Sequence, residues 1–498
     1  MIESMLGNIS IISDFITLSQ VMVVIYIVNF IIAFGLIFID NSKSPSATMA
    51  WIMLLFILPV IGQIFYFVLS QNIARQKIFK MTEDEEIERD TLLKWQKELV
   101  TKVISDSDDD TLNIWRSMIT MNLDYAGSFL TDNDSVDFIY DGKEMFDRLC
   151  EDIKNAKHTI KVCYYIIKDD FVGRKLINLL TEKAKEGVKV RLMVDALGSR
   201  SIGRRELRDF KKAGGQYSFF FKPFIRNLYF KINYRNHRKI VIIDNEIAYI
   251  GGFNIAKEYL GYKKKFGYWR DTQLIIRGNA LVSLNARFYL DWRYSSKEKL
   301  NVFEQSVKHA YKERYGEIPI QIVSCGPESP KEEIKRAMMK MIAGAKKSIY
   351  IQTPYLVPDE PMLESLAIAA RSGIDVKIMI PSMPDHPFVY RTTLYNAGRL
   401  ITEGAKIYIY ENGFLHAKTM TVDGEVCTVG SSNFDIRSFK LNFETNAFIY
   451  DEIATKNMNE QFEKDMLCSR VYTAEDRANI SVWEKGLESI SRLLTEIL

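Results

Sequence analysis

The chain has 498 residues, 47% of them hydrophobic, which is enough for two or three domains with a sizeable buried core. Its 66 basic and 63 acidic side chains nearly cancel to a formal net charge of +3, so no broad field favours a polyanion such as DNA. Five cysteines, Cys150, Cys163, Cys325, Cys427 and Cys468, are scattered without a CxxC pair or a Cys/His cluster; this speaks against a disulfide framework and a zinc site and fits a reducing compartment.

From Phe15 to Ile39 no residue is charged, and at about 1.5 Å per residue this run crosses a hydrocarbon core of about 30 Å. A second uncharged run, Ser44 to Ala74, follows a short polar loop, so residues 1–74 predict a transmembrane helical hairpin. No Lys or Arg precedes the first run, which argues against a secretory signal peptide; two buried core helices are the other alternative. The loop carries only Lys43, whereas Arg75, Lys77 and Lys80 follow the second run, and this positive-inside bias assigns the rest of the chain to the cytoplasmic side of the cell membrane. Residues 75–130 form a charge-rich segment that predicts a solvated helical linker. Within it "SDSDDD" (Ser105–Asp110) lacks the Gly and distal Glu of a calcium loop and reads as an acidic turn.

Beyond residue 130 short β-branched runs alternate with helical patterns, the signature of an α/β fold with parallel strands joined by crossover helices. The order strand, helix, strand occurs twice, in "HTIKVCYYIIKDD", "RKLINLLTEKAKEG" and "VKVRLMVDALGS", then in "KSIYIQTPYLVPD", "PMLESLAIAARSG" and "IDVKIMIPS". Two lobes are therefore expected, 131–310 and 311–498. In each, His237, Lys239, Asp244, Gly251, Gly252 and Asn254 match His416, Lys418, Asp423, Gly430, Ser431 and Asn433 at identical spacing. Further on, "RDTQLIIRG" parallels "FETNAFIYD" and pairs Asp271 with Glu444.

Alternate side chains of a strand share one face, so His237 and Lys239 point one way and Arg238 the other, and the same holds for His416 and Lys418. If the repeats face each other, one pocket receives two imidazoles, two ammonium groups and two asparagine amides. Such a pocket suits a phosphodiester. Lysines and amides stabilise charge on non-bridging oxygens, one histidine attacks phosphorus, and the other protonates the departing alkoxide. Asp271 and Glu444 are positioned to accept a hydrogen bond from the far ring nitrogens, and no metal or other cofactor is required. Asp244 and Asp423 each follow an apolar strand at a turn ("DN", "DG"), where a structural role is as plausible as a catalytic one. Polar strand ends in a duplicated structural domain are the bland alternative, which the matched spacing disfavours.

These two HxKx4Dx6G[GS]xN motifs resemble the paired HKD motifs of the phospholipase D superfamily, over about Ser135 to the C-terminus. The resemblance implies two pseudo-symmetric lobes, each a mixed sheet flanked by helices, with the active site between them. It also implies His237 as the nucleophile that forms a phosphohistidine, and His416 as the acid and later the base. Within the superfamily the sequences "LPVIGQIFY", "RNHRKIVIID", "YIGGFNIAKEYLG", "YWRDTQ", "GFLHAKTMTVDG" and "SNFDIRSFKLNFE" are most similar to bacterial cardiolipin synthases. That likeness implies transfer of a phosphatidyl group between two phosphatidylglycerol molecules, with membrane phospholipids as partners, no nucleic acid, and oligomeric state left open. A hydrolytic phospholipase D, a phosphatidylserine synthase, a nuclease and a non-enzymatic scaffold are the rival readings. The mixed aromatic and basic stretch "FKPFIRNLYFKINYRNHRK" (Phe221–Lys239) reads either as an interfacial segment or as a solvated loop, and "TPYLVPDEP" as either a pocket wall carrying Tyr355 or a proline turn.

Overall fold

A computed structural model describes residues 18–39, 45–69, 78–79, 81–105, 110–222, 233–302, 305 and 315–495. Residues 15–17, Lys43, Ser44 and residues 70–74 of the two apolar runs, the flanking Arg75, Lys77 and Lys80, residues 106–109 of the acidic turn, and 223–232 of the aromatic and basic stretch lie outside the described residues. The chain divides into two compact units, one built on the N-terminal helices and one comprising Ile73–Tyr229 and Asn233–Glu488.

In the N-terminal unit the first apolar run forms α1 (Leu18–Phe38), which is long and apolar enough to cross a membrane. Its Phe30, Ile31 and Phe34 side chains are exposed, an arrangement that water penalises and lipid does not. The second run, expected as one helix, is two instead, α2 (Pro45–Ile57) and α3 (Pro59–Leu69). Pro59 is the cause, because it has no N–H to offer the carbonyl of Leu55 four residues back. That carbonyl is not left bare. Asn29 of α1, fully buried, donates Nδ2 to it at 2.6 Å, and Gln63 Nε2 donates to Asn29 Oδ1 at 2.9 Å. An apolar cluster of Leu36, Trp51 and Leu55 packs the same helices.

The second unit is an α/β body with one long mixed sheet. The charge-rich segment forms α4 (Glu83–Ser105), and α5 (Asp110–Ala126) follows it. The expected fully solvated linker is corrected here: Glu85 is buried, accepts from Arg293 Nη1 at 2.7 Å and from the Val302 amide at 2.9 Å, and Val100 joins a core. The first half runs β1 (Leu130–Asp141), α6 (Gly142–Asn155), β2 (Thr159–Tyr164), α7 (Phe171–Lys185), β3 (Lys189–Asp195), α8 (Arg204–Lys212), β4 (Gln216–Phe220), β5 (Arg235–Asn236), β6 (Ile240–Ile243), β7 (Ile247–Gly251), β8 (Trp269–Arg277) and α9 (Ala280–Ser296). The second half repeats it with β9 (Ile318–Cys325), α10 (Glu333–Gly344), β10 (Ser348–Gln352), α11 (Glu360–Arg371), β11 (Asp375–Pro381), α12 (Pro387–Thr402), β12 (Lys406–Tyr410), β13 (Phe414–Leu415), β14 (Thr419–Val422), β15 (Val426–Gly430), α13 (Ile436–Lys440), β16 (Asn442–Ile449), α14 (Glu452–Met466) and β17 (Ser469–Tyr472).

Pairing gives the order β4-β3-β2-β6-β7-β8-β1 in the first half. The second half runs β9-β16-β15-β14-β10-β11-β12-β17. Strands β1 and β9 pair antiparallel and join the halves into one sheet. Within each half only β2, β3 and β4, and likewise β10, β11 and β12, pair in parallel among the described residues, as their helical crossovers demand. Each half has its own core, and a third core is shared: Ile240, Ile250, Leu274 and Ile276 pack with Ile322, Val429, Phe443 and Ala447.

Replacing Asn29 by Leu removes the donor that satisfies the Leu55 carbonyl beside Pro59. The expected cost is about 1 kcal/mol for such a bond in an apolar setting, seen as faster amide exchange through α3; unchanged exchange there would contradict this account of the break.

Candidate active site

Each histidine sits where its chain leaves one half and enters the other. The two-residue strand β5 pairs in parallel with β16, and β13 pairs in parallel with β8, so the segment before each HxK is bound to the opposite half's carboxylate strand. The amide of His237 donates to Phe443 O at 3.0 Å and that of His416 to Arg270 O at 2.7 Å. Immediately afterwards β6 and β14 return to their own halves. Here the expectation that HxK lies within a strand is corrected: the three residues are an extended link between two ladders, because their partners change at that point.

This crossing exchanges the carboxylates. His237 Nδ1 lies 2.9 Å from Glu444 Oε1, and His416 Nδ1 lies 2.6 Å from Asp271 Oδ2. His237 Nδ1 also faces the Ser431 carbonyl at 3.1 Å. All these partners are acceptors, so Nδ1 carries the proton and Nε2 of His237 keeps its lone pair. Both carboxylates are fully buried, whereas the His237 and His416 side chains keep 11% and 9% of their exposure, enough to meet a substrate.

Two small residues fit the strands around these pairs. A Cβ on Gly252 would lie 2.0 Å from Asp271 Oδ1, so only glycine fits there. Its counterpart Ser431 donates Oγ to Glu444 Oε2 at 2.5 Å, and Asn442 Nδ2 donates to Oε1 at 3.2 Å. Gly251 and Gly430 lie against the same strands, where a Cβ would come within 2.4 Å of Thr272 O and Thr445 O.

The lysines lie beside the histidines. Lys239 Nζ donates to the His237 carbonyl at 2.6 Å; Lys418 Nζ donates to the His416 carbonyl and stands 3.9 Å from Asp271. Lys418 Nζ is also 2.8 Å from His416 Nδ1, but that nitrogen cannot both accept from Lys418 and donate to Asp271. The shorter contact to a buried carboxylate decides for donation to Asp271. Arg238 points away from the histidines, as alternation requires. It is fully buried and clamps the halves, bonding Asp291 at 2.8 Å, Cys325 O at 2.9 Å and Thr445 Oγ1 at 2.9 Å.

Burial sets the protonation states. It drives the Lys239 ammonium down to about 7 and that of Lys418 to about 8, with Glu444 and Asp271 respectively opposing. Burial, then the charge of Lys418, pushes the His416 imidazole down to about 4 against Asp271, and burial lowers His237 too. For Asp271 and Glu444 burial alone would raise the carboxyl, but the facing His and Lys groups outweigh it and hold both below the usual range.

Asp244 and Asp423 both sit in the left-handed region at φ 51° and 57°, at the far end of four-residue strands from their motif lysines. The Asp244 carboxylate accepts the amides of Lys157, His158 and Thr159, each at 2.7 Å. That of Asp423 accepts those of Lys346, Lys347 and Ser348 at 2.7, 2.7 and 2.8 Å. They tie a hairpin turn to the start of β2 and β10, which favours the structural one of the two roles that the sequence left open.

The two asparagines are not equivalent. Asn254 Oδ1 accepts the Ile166 amide at 3.1 Å, whereas Asn433 Nδ2 reaches Asp435 Oδ2 at 3.3 Å and its buried Oδ1 has no hydrogen bond among the described residues. An aromatic wall went unnoticed in the sequence. Tyr165 meets the His237 ring edge-on at 4.9 Å, and Trp269 and Phe414 lie 5.1 and 6.1 Å from the His416 ring. The signal was present, since Trp269 and Phe414 stand two residues before Asp271 and His416 and so share their faces. Among the described residues no three His, Cys, Asp or Glu side chains group as metal ligands.

Comparison with known proteins fits this geometry. Residues 149–283 and 338–466 match the family model described as cardiolipin synthase, PLD-like domain, and 27–71 match the one described as phospholipase D-nuclease N-terminal. The major cardiolipin synthase of Bacillus subtilis is 44% identical over 95% of this chain and 98% of its own length. A cardiolipin synthase of Listeria monocytogenes is 42% identical over 97% and 99% respectively. Among solved structures, phosphatidylserine synthase from Haemophilus influenzae aligns with a TM-score of 0.58 at 14% identity, covering 77% of this chain and all of that one, a likeness of fold.

Asp244→Asn and Asp423→Asn each weaken three bonds between a carboxylate and backbone amides. Each is expected to lower stability by about 2 kcal/mol in a thermal melt while leaving turnover per folded molecule within a factor of about two, the margin for a residue outside the chemistry; loss of turnover without loss of stability would restore a catalytic role. The free-enzyme profile of kcat/KM against pH is expected to fall on the alkaline side through 7 to 8 as Lys239 and Lys418 lose their protons. On the acid side it falls only below His237's ordinary value of about 6.5, since its own is lowered; a rate still rising from pH 7 to 9 would contradict this.

Proposed function

The chain belongs to the cardiolipin synthase family of phospholipase D-like proteins, and from that premise we propose that it makes cardiolipin from two molecules of phosphatidylglycerol, releasing glycerol. The observation that carries this reading is the crossed pair of His–carboxylate contacts, which presents a nucleophilic Nε2 and a second histidine at one site.

In the first step His237 Nε2 attacks phosphorus, and the bond from phosphorus to the glycerol oxygen breaks. His416 gives that oxygen its proton. Lys239 and Lys418 lie where they can offset charge on the non-bridging oxygens, and Glu444 stabilises the cationic ring of the phosphohistidine through Nδ1–H. With both lysines protonated, Lys239, Lys418, Asp271 and Glu444 sum to zero charge, so an incoming phosphodiester anion makes the site negative. That excess charge raises the affinity of His416 for the proton it must donate. In the second step His416 takes the proton of a hydroxyl on the second phosphatidylglycerol, whose oxygen attacks phosphorus while the bond to Nε2 breaks. Asn254 and Asn433 orient the phosphodiester in this scheme.

The N-terminal helices hold the enzyme at the bilayer, where both substrates and the main product reside. Two spans, with the lobes 131–310 and 311–498 on the cytoplasmic side, follow from the two uncharged runs and the basic residues after the second. Residues 75–130 connect them.

Purified protein given phosphatidylglycerol alone in detergent is expected to yield cardiolipin and an equal amount of glycerol. Phosphatidic acid without cardiolipin would identify a hydrolase instead. With a donor bearing a good leaving group, His416→Ala is expected to accumulate a phosphatidyl-enzyme and His237→Ala to form none; label trapped on His416 in the His237 variant would reverse the two roles.

A further inference from the structure

The two halves agree in their histidines, lysines and exchanged carboxylates but differ in the polar groups around them. In the first half the last residue of β3, Asp195, spends its carboxylate on the scaffold. It accepts the amides of Leu197, Gly198 and Asn236 at 2.9 to 3.0 Å and pairs with Arg235 at 3.3 Å. The matching position at the end of β11 is Pro381, since Lys189 and Asp375 begin the two strands opposite Thr159 and Ser348. The second half instead carries a carboxylate four residues later, on the loop before α12, at Asp385.

Asp385 is held but not used up. Tyr355 donates its hydroxyl to Oδ2, and the His386 amide donates to Oδ1 at 2.7 Å. A carboxylate accepts about four hydrogen bonds, and the Asp385 side chain keeps 21% of its exposure. It stands beside the Asn433 segment, because the stretch that carries Tyr355 is bonded to it: the Phe434 amide donates to Thr353 Oγ1 at 3.1 Å and the Val357 amide to Phe434 O at 3.1 Å.

An independent observation points the same way. The Asn433 carbonyl is an acceptor that the fold leaves open. In the first half the Ile166 amide fills Asn254 Oδ1, but in the second the Tyr355 amide turns back to Thr353 Oγ1 at 3.3 Å and the Leu356 amide goes to Thr393 Oγ1 at 3.2 Å. Asn433 is only 5% exposed, its Nδ2 is turned toward Asp435, and its Oδ1 has no hydrogen bond among the described residues. The second half thus presents acceptors, and the ligand they suit is a donor of several O–H groups.

We propose that Asp385, positioned by Tyr355 and seconded by the Asn433 carbonyl, accepts hydrogen bonds from the free hydroxyls of the glycerol headgroup, and that this selects a polyol over water or a simple alcohol. The inference rests on the phosphatidyl-transfer reading. In that reaction the leaving group and the entering group are both glycerols handled by His416, so one acceptor-rich pocket serves both steps. No further atom or proton moves, because the carboxylate binds hydroxyls that do not react.

The test uses the full chain in detergent micelles with a phosphatidyl-p-nitrophenol donor, and glycerol and ethanol competing as acceptors. Asp385→Asn is expected to lower the ratio of phosphatidylglycerol to phosphatidylethanol formed by about tenfold, the worth of one charge-assisted hydrogen bond. The initial burst of p-nitrophenol, which needs no polyol, stays near that of the unaltered enzyme. Tyr355→Phe shifts the ratio in the same direction while removing only a hydroxyl. An unchanged ratio in Asp385→Asn, or a lost burst at an unchanged ratio, would overturn the proposal. The unaltered enzyme supplies a separate readout: failure to make cardiolipin from phosphatidylglycerol would reject the transfer reading itself.

Discussion

The chain's crossing between halves, at β5 onto β16 and at β13 onto β8, is the constraint on which the site depends. Two backbone contacts, from His237 to Phe443 and from His416 to Arg270, fix each imidazole beside a carboxylate that its own half does not supply. Neither half alone can hold its histidine in a defined tautomer. The duplicated sequence therefore builds one active site, not two, and the sheet continuing through β1 and β9, with the shared core behind it, keeps the exchange in register.

Burying two lysines, two histidines, an aspartate and a glutamate together is costly unless the charges balance. They balance here, and each is bonded: the carboxylates by histidine Nδ1, Ser431, Asn442 and the Thr272 amide, the lysines by the carbonyls of His237 and His416. The result is a site neutral when empty and short of one positive charge when an anion enters. In the proposed mechanism proton uptake by a histidine then follows from substrate binding, which is what a general acid needs. The same burial lowers both lysines toward neutral pH, so a weaker hold on phosphate is expected as the solution becomes alkaline.

Much of this was legible in the sequence. Identical spacing of His, Lys, Gly and Asn in two copies, with an acidic residue at the head of a later strand, was enough to bring His237, His416, Asp271 and Glu444 together. It was not enough to say which acid serves which histidine, because that depends on a two-residue parallel contact with no sequence signature. Asp244 and Asp423 were ambiguous for a different reason. An aspartate between a strand and a turn has the same letters whether it faces a substrate or three backbone amides, and only the left-handed conformation and those amides distinguish the cases. The break at Pro59 was open to reading, since proline cannot bond four residues back, but its repair by Asn29 is a tertiary fact. Asp385 escaped notice because it has no counterpart in the other repeat.

The crossed pairing is tested most directly by timing the two half-reactions in Glu444→Gln and Asp271→Asn with a donor whose leaving group needs no proton. In the proposed mechanism Glu444 serves His237 as nucleophile, so Glu444→Gln should slow the p-nitrophenol burst by two or more orders of magnitude, a loss of the size seen when a triad carboxylate becomes an amide. Asp271 serves His416, so Asp271→Asn should leave the burst nearly intact and slow only transfer to the second lipid. A burst lost in Asp271→Asn and kept in Glu444→Gln would mean that each carboxylate serves the histidine of its own half.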